Sequence, residues 1–193
     1  MKKVVLLMLF AVCSLTAQAQ FHLGLEGGMN ISNPSVDWDQ IDNSSGTVGY
    51  YIGIMPKFKL SESIHINADI QYSLKGFSGE QSASDLDIKT RYHYLDIIPQ
   101  LEFLLGESFG LFVGPDFSFK LKVDTKIGDE GWEEIDDFDL IKGSDFGATF
   151  GGRVYLGKLY LNVSYTLGLV NVGEEEDVEI KNRNLQLGGG LMF

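Results

Sequence analysis

The chain has 193 residues, 44% of them hydrophobic, with 15 Lys+Arg against 27 Asp+Glu and a formal net charge of −12. The acid excess argues against nucleic acid as a partner, and the length fits one domain. The single cysteine, Cys13, lies in an apolar run near the start, so the rest of the chain has no disulfide or thiol chemistry available.

Lys2 and Lys3 precede an apolar run from Val4 to Leu15, and Ala17-Gln18-Ala19 follows as a small-x-small site. That order reads as a secretory signal cleaved after Ala19. The run is too short to span a bilayer as a helix, which takes about 20 apolar residues. Val12 before Cys13 is a poor lipoprotein signal, so lipidation is not expected. Residues 1–19 are therefore expected to be a signal peptide and residues 20–193 one exported domain. Loss of Lys2 and Lys3 leaves 13 Lys+Arg against 27 Asp+Glu, a net charge of −14.

From residue 21 onward the sequence alternates with period two, the signature of half-buried strands. Residues 63–75 are typical. Ile64, Ile66, Ala68, Ile70, Tyr72 and Leu74 point one way, and His65, Asn67, Asp69, Gln71, Ser73 and Lys75 the other. Eight such segments occur: 21–31, 48–60, 63–75, 92–105, 109–122, 145–156, 159–171 and 183–193. The gaps between them hold 16, 2, 16, 3, 22, 2 and 11 residues, long and short in strict alternation. An even number of strands with tight turns at one end and long loops at the other predicts an all-β fold, an eight-stranded antiparallel up-and-down transmembrane β-barrel. Charge sorts with the gaps. The four long ones carry −3, −1, −6 and −4, while strands and short turns balance.

A soluble lipocalin-like barrel would also alternate, with its apolar residues inside. Two features favour the membrane. The polar face is crowded with ionisable groups of both signs: Glu26, Lys57, Lys59, Asp69, Asp96, Glu102, Asp116, Lys120, Lys122 and Arg153. These suit mutual pairing in a narrow lumen. Of them, Arg153, Asp96, Glu102, Asp116, Lys57, Lys120 and Asp69 are the candidate lumen charge network, with Arg153 expected to pair with Asp96, Glu102 or Asp116. Tyr50, Phe58, Tyr72, Tyr92, Phe103, Phe109, Phe119 and Tyr165 lie on the apolar face toward strand ends, as in interfacial aromatic girdles. Pro56, Pro99 and Pro115 interrupt the strands, and bulges are expected at them.

No catalytic signature emerges. His22, His65 and His93 lie on different segments without metal spacing, and Ser73 is too far along the strand from His65 for direct contact. His65 is expected to hydrogen-bond in the lumen beside Asp69. The acidic loops Asp129–Asp139 and Glu174–Asp177 carry carboxylates but not the spacing of a calcium loop. They read as solvated surface, with weak cation bridging to lipopolysaccharide as a middle case. Trp38 and Trp132 fall in long loops, packed there or offered as contact anchors.

Several segments resemble the PorT-like outer-membrane β-barrel proteins of Bacteroidota: Leu23–Asn33, Tyr94–Phe103, Leu111–Asp116, Asp145–Gly152 and Leu159–Asn171. Together they cover essentially the whole exported chain. Ile98 before Pro99 departs from the family pattern and could mark a bulge. The resemblance implies an outer-membrane, porin-like barrel, and the namesake's part in type IX secretion is not carried over. The last strand, with Gln186, Gly188, Leu191 and Phe193, resembles the signal by which the barrel-assembly machinery recognises clients.

The sequence thus reads as a non-enzymatic outer-membrane barrel with acidic extracellular loops, structural or surface-binding, and no cofactor. Its expected partners are outer-membrane lipid and lipopolysaccharide, the assembly machinery during biogenesis, and an envelope or extracellular protein. A narrow porin-like channel is the alternative, and a soluble lipocalin-like barrel a further one.

Overall fold

The period-two pattern becomes eight long strands: β1 (Phe21–Ser32), β2 (Ile41–Lys59), β3 (Ile64–Gln81), β4 (Asp87–Leu105), β5 (Phe109–Ile127), β6 (Ser144–Leu156), β7 (Leu159–Gly168) and β8 (Arg183–Met192). The computed structural model describes residues 21–33, 35–37, 41–81, 87–127, 131–134, 142–173 and 179–193. Cys13, Trp38, residues 174–178 and the segment 1–20 lie outside the described residues, as do positions 128–130 and 135–141 of the longest loop. Each strand pairs antiparallel with the next, and β8 returns to β1 in a ladder from Gly24↔Met192 to Ser32↔Asn184. The sheet is therefore closed and leaves no free edge. Among the described residues there is no helix.

Short turns tie one end. Gly106 and Gly157 have φ of 77° and 68°, a region that costs other residues a Cβ clash. Between β2 and β3, Ser61 Oγ accepts from the backbone N–H groups of Ser63 and Ile64. At this end the strands stop within about a residue of where the alternation stops. At the other end β2 to β5 run well past it, to Ile41, Gln81, Asp87 and Ile127. There the outward face is polar while Thr90, Tyr92, Val123 and Thr125 stay buried inside, so no apolar outer stripe marks these ends in the sequence. Ser35–Asp37 and Glu179–Lys181 form a small ribbon in the same register as the β1–β8 ladder. Ile180 of this ribbon is buried, as is Val172, whose backbone N–H donates to the Ile180 carbonyl.

Leu25, Val48, Ile52, Leu111, Val113, Phe119, Phe150, Leu161 and Leu191 are exposed on the outer wall. Polar side chains predominate inside, with Met55, Ile98, Phe112 and several tyrosines packed among them. The lipocalin-like alternative, with apolar residues inward, is thereby set aside.

The prolines behave differently from expectation. Pairing runs in unbroken register through Pro56, Pro99 and Pro115. The pairs Ile97↔Phe117 and Leu101↔Val113 place Pro99 and Pro115 opposite each other. Two residues that cannot donate thus face one another, and the ladder loses its bonds at one site rather than two. Gly114 makes the approach possible, since a Cβ there would collide with the Pro99 carbonyl. Ile98 marks no bulge and is buried inside the barrel. The β4–β5 irregularity lies elsewhere: His93 pairs with Lys122 and Tyr94 with Lys120, so Leu121 is the extra residue. A second irregular stretch falls in β2 between Asp42 and Tyr51.

Two facing assignments differ from expectation, the first because of the bulge. Past Leu121 the alternation on β5 flips. Lys122 therefore leaves the polar lumen face and is exposed, while Val123 and Thr125 are buried. Tyr92 is not a girdle residue, being only 4% exposed. β4 keeps its register with β3 from Asp87 to Phe103, so Tyr92 shares the inward phase of Tyr94 and Asp96.

Candidate functional site

The lumen holds two charged clusters. The first gathers around Arg153, which β6 projects inward and which is fully buried. Its Nη1 lies 3.3 Å from Glu102 Oε1 and its Nη2 3.6 Å from Asp69 Oδ1. Nη2 also donates to Gln100 Oε1 at 3.4 Å. The guanidinium sits 4.5 Å from the Phe112 ring centroid, a cation–π contact in a desolvated setting.

Glu102 is the hub. Besides Arg153 it faces Lys57 Nζ at 3.0 Å, and it accepts from Tyr155 Oη at 2.6 Å and Asn67 Nδ2 at 3.0 Å. Lys57 Nζ also donates to Tyr155 Oη at 2.6 Å. Asp69 accepts from Gln100 Nε2 at 2.5 Å, and Glu26 from Tyr160 Oη at 3.0 Å. An unpaired buried charge costs several kcal/mol, and here each carboxylate has a cation or a hydroxyl or amide donor.

The second cluster lies nearer the long-loop end and gathers around Asp96. Lys75 Nζ reaches Asp96 Oδ1 at 3.0 Å. Ser73, Ser118 and Gln71 add hydrogen bonds to the same carboxylate at 2.6, 2.6 and 3.2 Å. Asp116 lies beside it, 3.0 Å from Ser118 Oγ.

Of the candidate network, Arg153, Glu102, Lys57 and Asp69 therefore come together, whereas Asp96 and Asp116 belong to the Lys75 cluster. Lys120 is half-buried beside the Leu121 bulge. Lys75, the cation of the second cluster, falls on the polar face in the sequence, but its partner cannot be read there. His65 does not face Asp69: its Nδ1 is 3.5 Å from Glu102 Oε2. Ser73 serves Asp96. Lys59 is exposed at the short-turn mouth, where a cavity of about 320 Å³ is lined by Lys57, Lys59, His65, Glu107 and Tyr155.

The wall of β6 to β8 and β1 is mostly uncharged, with Glu26, Asp145 and Arg153 as its buried ionisable groups. Tyr51 Oη donates to Asn162 Oδ1, Thr149 and Thr166 share a hydrogen bond, and Ser164 donates to Gln186. Glycines make room for aromatic rings: a Cβ at Gly188 would meet the Tyr51 hydroxyl, and one at Gly190 the Tyr160 hydroxyl. Of the expected assembly signal, Gln186 is buried and Gly188 shares its inward phase, while Leu191 and Phe193 are exposed outside. Among the described residues no three His, Cys, Asp or Glu side chains group as metal ligands.

A closed eight-stranded wall, apolar outside and polar within, defines an outer-membrane β-barrel protein. The chain belongs to the outer membrane protein beta-barrel domain family, whose model matches residues 16–174, and its place is the outer membrane. Among solved structures it is similar to Ail, the attachment invasion locus protein of Yersinia pestis, in complex with the heparin analogue sucrose octasulfate. That match has 15% identity and a TM-score of 0.50, over 90% of this chain and 99% of that one. It is also similar to Neisserial surface protein A, with 10% identity and a TM-score of 0.50, over 90% and 97% of the two chains. At these identities the likeness concerns the fold. None of the curated proteins compared matches the chain.

Proposed function

We propose that this protein is a plugged, non-enzymatic surface barrel. Its long-loop end faces outside, its acidic loops meet a partner there, and its lumen passes no solute. One observation carries the reading. Side chains from opposite walls meet in the lumen: Lys57 Nζ of β2 donates to Tyr155 Oη of β6, four strands away, at 2.6 Å, and fully buried Arg153 of β6 lies 3.6 Å from Asp69 of β3, three strands away. Eight strands leave an interior just wide enough for side chains to fill. Net negative loops favour a partner with a basic surface, unlike the polyanion in the Ail structure. The segments from Leu23–Asn33 to Leu159–Asn171 support placement in the PorT-like branch. An outer-membrane address also supports reading residues 1–19 as the export signal. The outward Leu191 and Phe193 fit recognition by the assembly machinery.

The rival reading is a narrow channel. Conductance of the refolded protein in planar bilayers decides between them. A silent bilayer, with insertion verified by heat-modifiable mobility, is expected, and stable ohmic steps would establish the channel. Orientation has its own test. A tag at Gly131 should be labelled on intact cells and one at Gly157 should not, and reversed labelling would overturn the assignment.

A further inference from the structure

The ladder that closes the barrel joins its first and last strands, β1 and β8, so no turn ties its two sides together. Its centre is bare. The pairs Glu26↔Gly190, Gly27↔Gly189 and Gly28↔Gly188 follow one another, five glycines in six positions. Cross-strand side-chain contacts stabilise a sheet, and glycine within a strand removes them. Yet this seam has to hold, because an open one would present unpaired N–H and C=O groups to hydrocarbon.

Two tyrosines rooted outside the seam cross it on the lumen side, in opposite directions. Tyr51 stands on β2. At its level the register runs from Tyr51 to Gly28 on β1, Gly188 on β8 and Asn162 on β7. The side chain lies along that row, and its hydroxyl donates to Asn162 Oδ1 at 3.1 Å. A Cβ at Gly28 would strike the ring, and one at Gly188 the hydroxyl. Tyr160 stands on β7, level with Gly190 on β8 and Glu26 on β1. Its hydroxyl donates to Glu26 Oε2 at 3.0 Å, and a Cβ at Gly190 or Gly24 would meet it. Both tyrosines are buried. The glycines that strip the seam of its own contacts are thus the ones that make room for these bars. Nearer the long-loop end the seam is held by direct polar pairs instead. Ser32 Oγ donates to Asn184 Oδ1 at 3.3 Å, and Asn184 Nδ2 to Asn30 Oδ1 at 3.2 Å.

Each bar is fixed by its backbone on one side of the seam and by its hydroxyl on the other. Parting β1 from β8 breaks both hydroxyl contacts. We propose that Tyr51 and Tyr160 are a pair of bolts that lock the closing seam from the lumen and keep the barrel from opening sideways toward lipid. The lock works in either orientation of the barrel and with or without a partner, so it stands or falls apart from the proposed function.

Amide hydrogen exchange of the folded barrel in lipid vesicles tests it, read by mass spectrometry on peptides from β1 and β8 and from β4 and β5. The variant Tyr51→Phe/Tyr160→Phe keeps both rings and removes both hydroxyls. Exchange on β1 and β8 is expected to rise on the order of a hundredfold, about tenfold for each buried acceptor left without its donor, while β4 and β5 keep the parent's rate. Tyr92→Phe, which removes a buried hydroxyl on β4, should leave the seam unchanged. Leu25 and Leu191 pair across the outside of the seam. A disulfide from Leu25→Cys/Leu191→Cys, added to the double Phe variant, should therefore restore the parent's seam protection. Heat-modifiable mobility verifies that each variant is folded. Unchanged seam exchange in the double Phe variant, or an equal rise on β4 and β5, would overturn the lock. So would a seam response to Tyr92→Phe as large, or a rise that persists with the disulfide closed.

Discussion

Strands β2 to β5 turn Lys57, His65, Asp69, Lys75, Asp96, Glu102 and Asp116 into the barrel, whereas β6 to β8 and β1, the more neutral arc, turn in Asn30, Thr149, Asn162, Ser164, Thr166 and Gln186 with Glu26, Asp145 and Arg153 as their buried ionisable groups. The two arcs share one backbone geometry and one apolar exterior. They differ in how the inside is satisfied. The neutral arc is satisfied by hydrogen bonds between uncharged groups, some of them reaching β2 and β3 through Tyr51 and Asn30, and by tyrosines seated over glycines. The charged arc contains Asp69, Asp96, Asp116 and Glu102 against Lys57 and Lys75, and it takes a further cation from the adjoining strand β6. Arg153, rooted in the neutral arc, supplies it. The difference teaches that closure of the lumen is concentrated in a few cross-barrel contacts rather than spread evenly over the wall.

The largest effect is expected at that crossing. Arg153→Ala leaves Glu102 and Asp69 without the guanidinium and should destabilise the barrel by about 3–5 kcal/mol, the range for breaking a buried pair. Reversible denaturant unfolding in lipid vesicles measures it. Lys75→Ala should cost less, about 2 kcal/mol. Asp96 keeps hydrogen bonds from Ser73, Ser118 and Gln71 after the ammonium is gone. A Lys75 effect above that of Arg153 in the same unfolding assay would invert the ranking of the two clusters. On the neutral arc, Gly188→Leu should cost about 1–2 kcal/mol by overpacking against Tyr51. No measurable loss there would mean that Tyr51 moves aside freely and that this wall is not packed as described.

Much of this architecture is legible in the amino-acid sequence. Strand number, closure and the short-turn boundaries follow from alternation and gap length, because one face must meet lipid and the other must not. The inward placement of Arg153, Glu102 and Asp69 follows from the same phase. Three things are hidden. The upper ends of β2 to β5 lack an apolar outer stripe, so alternation does not mark them even though Thr90, Tyr92, Val123 and Thr125 are buried inside. The Leu121 bulge shifts one strand by one residue, and no residue type announces it; Lys122 changes face as a consequence. Which acid meets Arg153 depends on the relative register of strands far apart in sequence. Asp96, Glu102 and Asp116 are all inward and all acidic, and only the register separates the first and third from Arg153. The prolines mislead for a related reason: Pro99 and Pro115 look like two separate defects in sequence and are a single facing pair in the barrel.

Arg153 joins the two arcs through Glu102 and not through the acids of the Lys75 cluster. Double-mutant cycles on the stability of the membrane-inserted barrel test this most directly, pairing Arg153→Ala in turn with Glu102→Gln, Asp96→Asn and Asp116→Asn. A coupling of roughly 2 kcal/mol is expected for Glu102, within the range for residues in direct contact, and a coupling near zero for Asp96 and Asp116. A Glu102 coupling near zero, or an Asp116 coupling as large, would contradict the account.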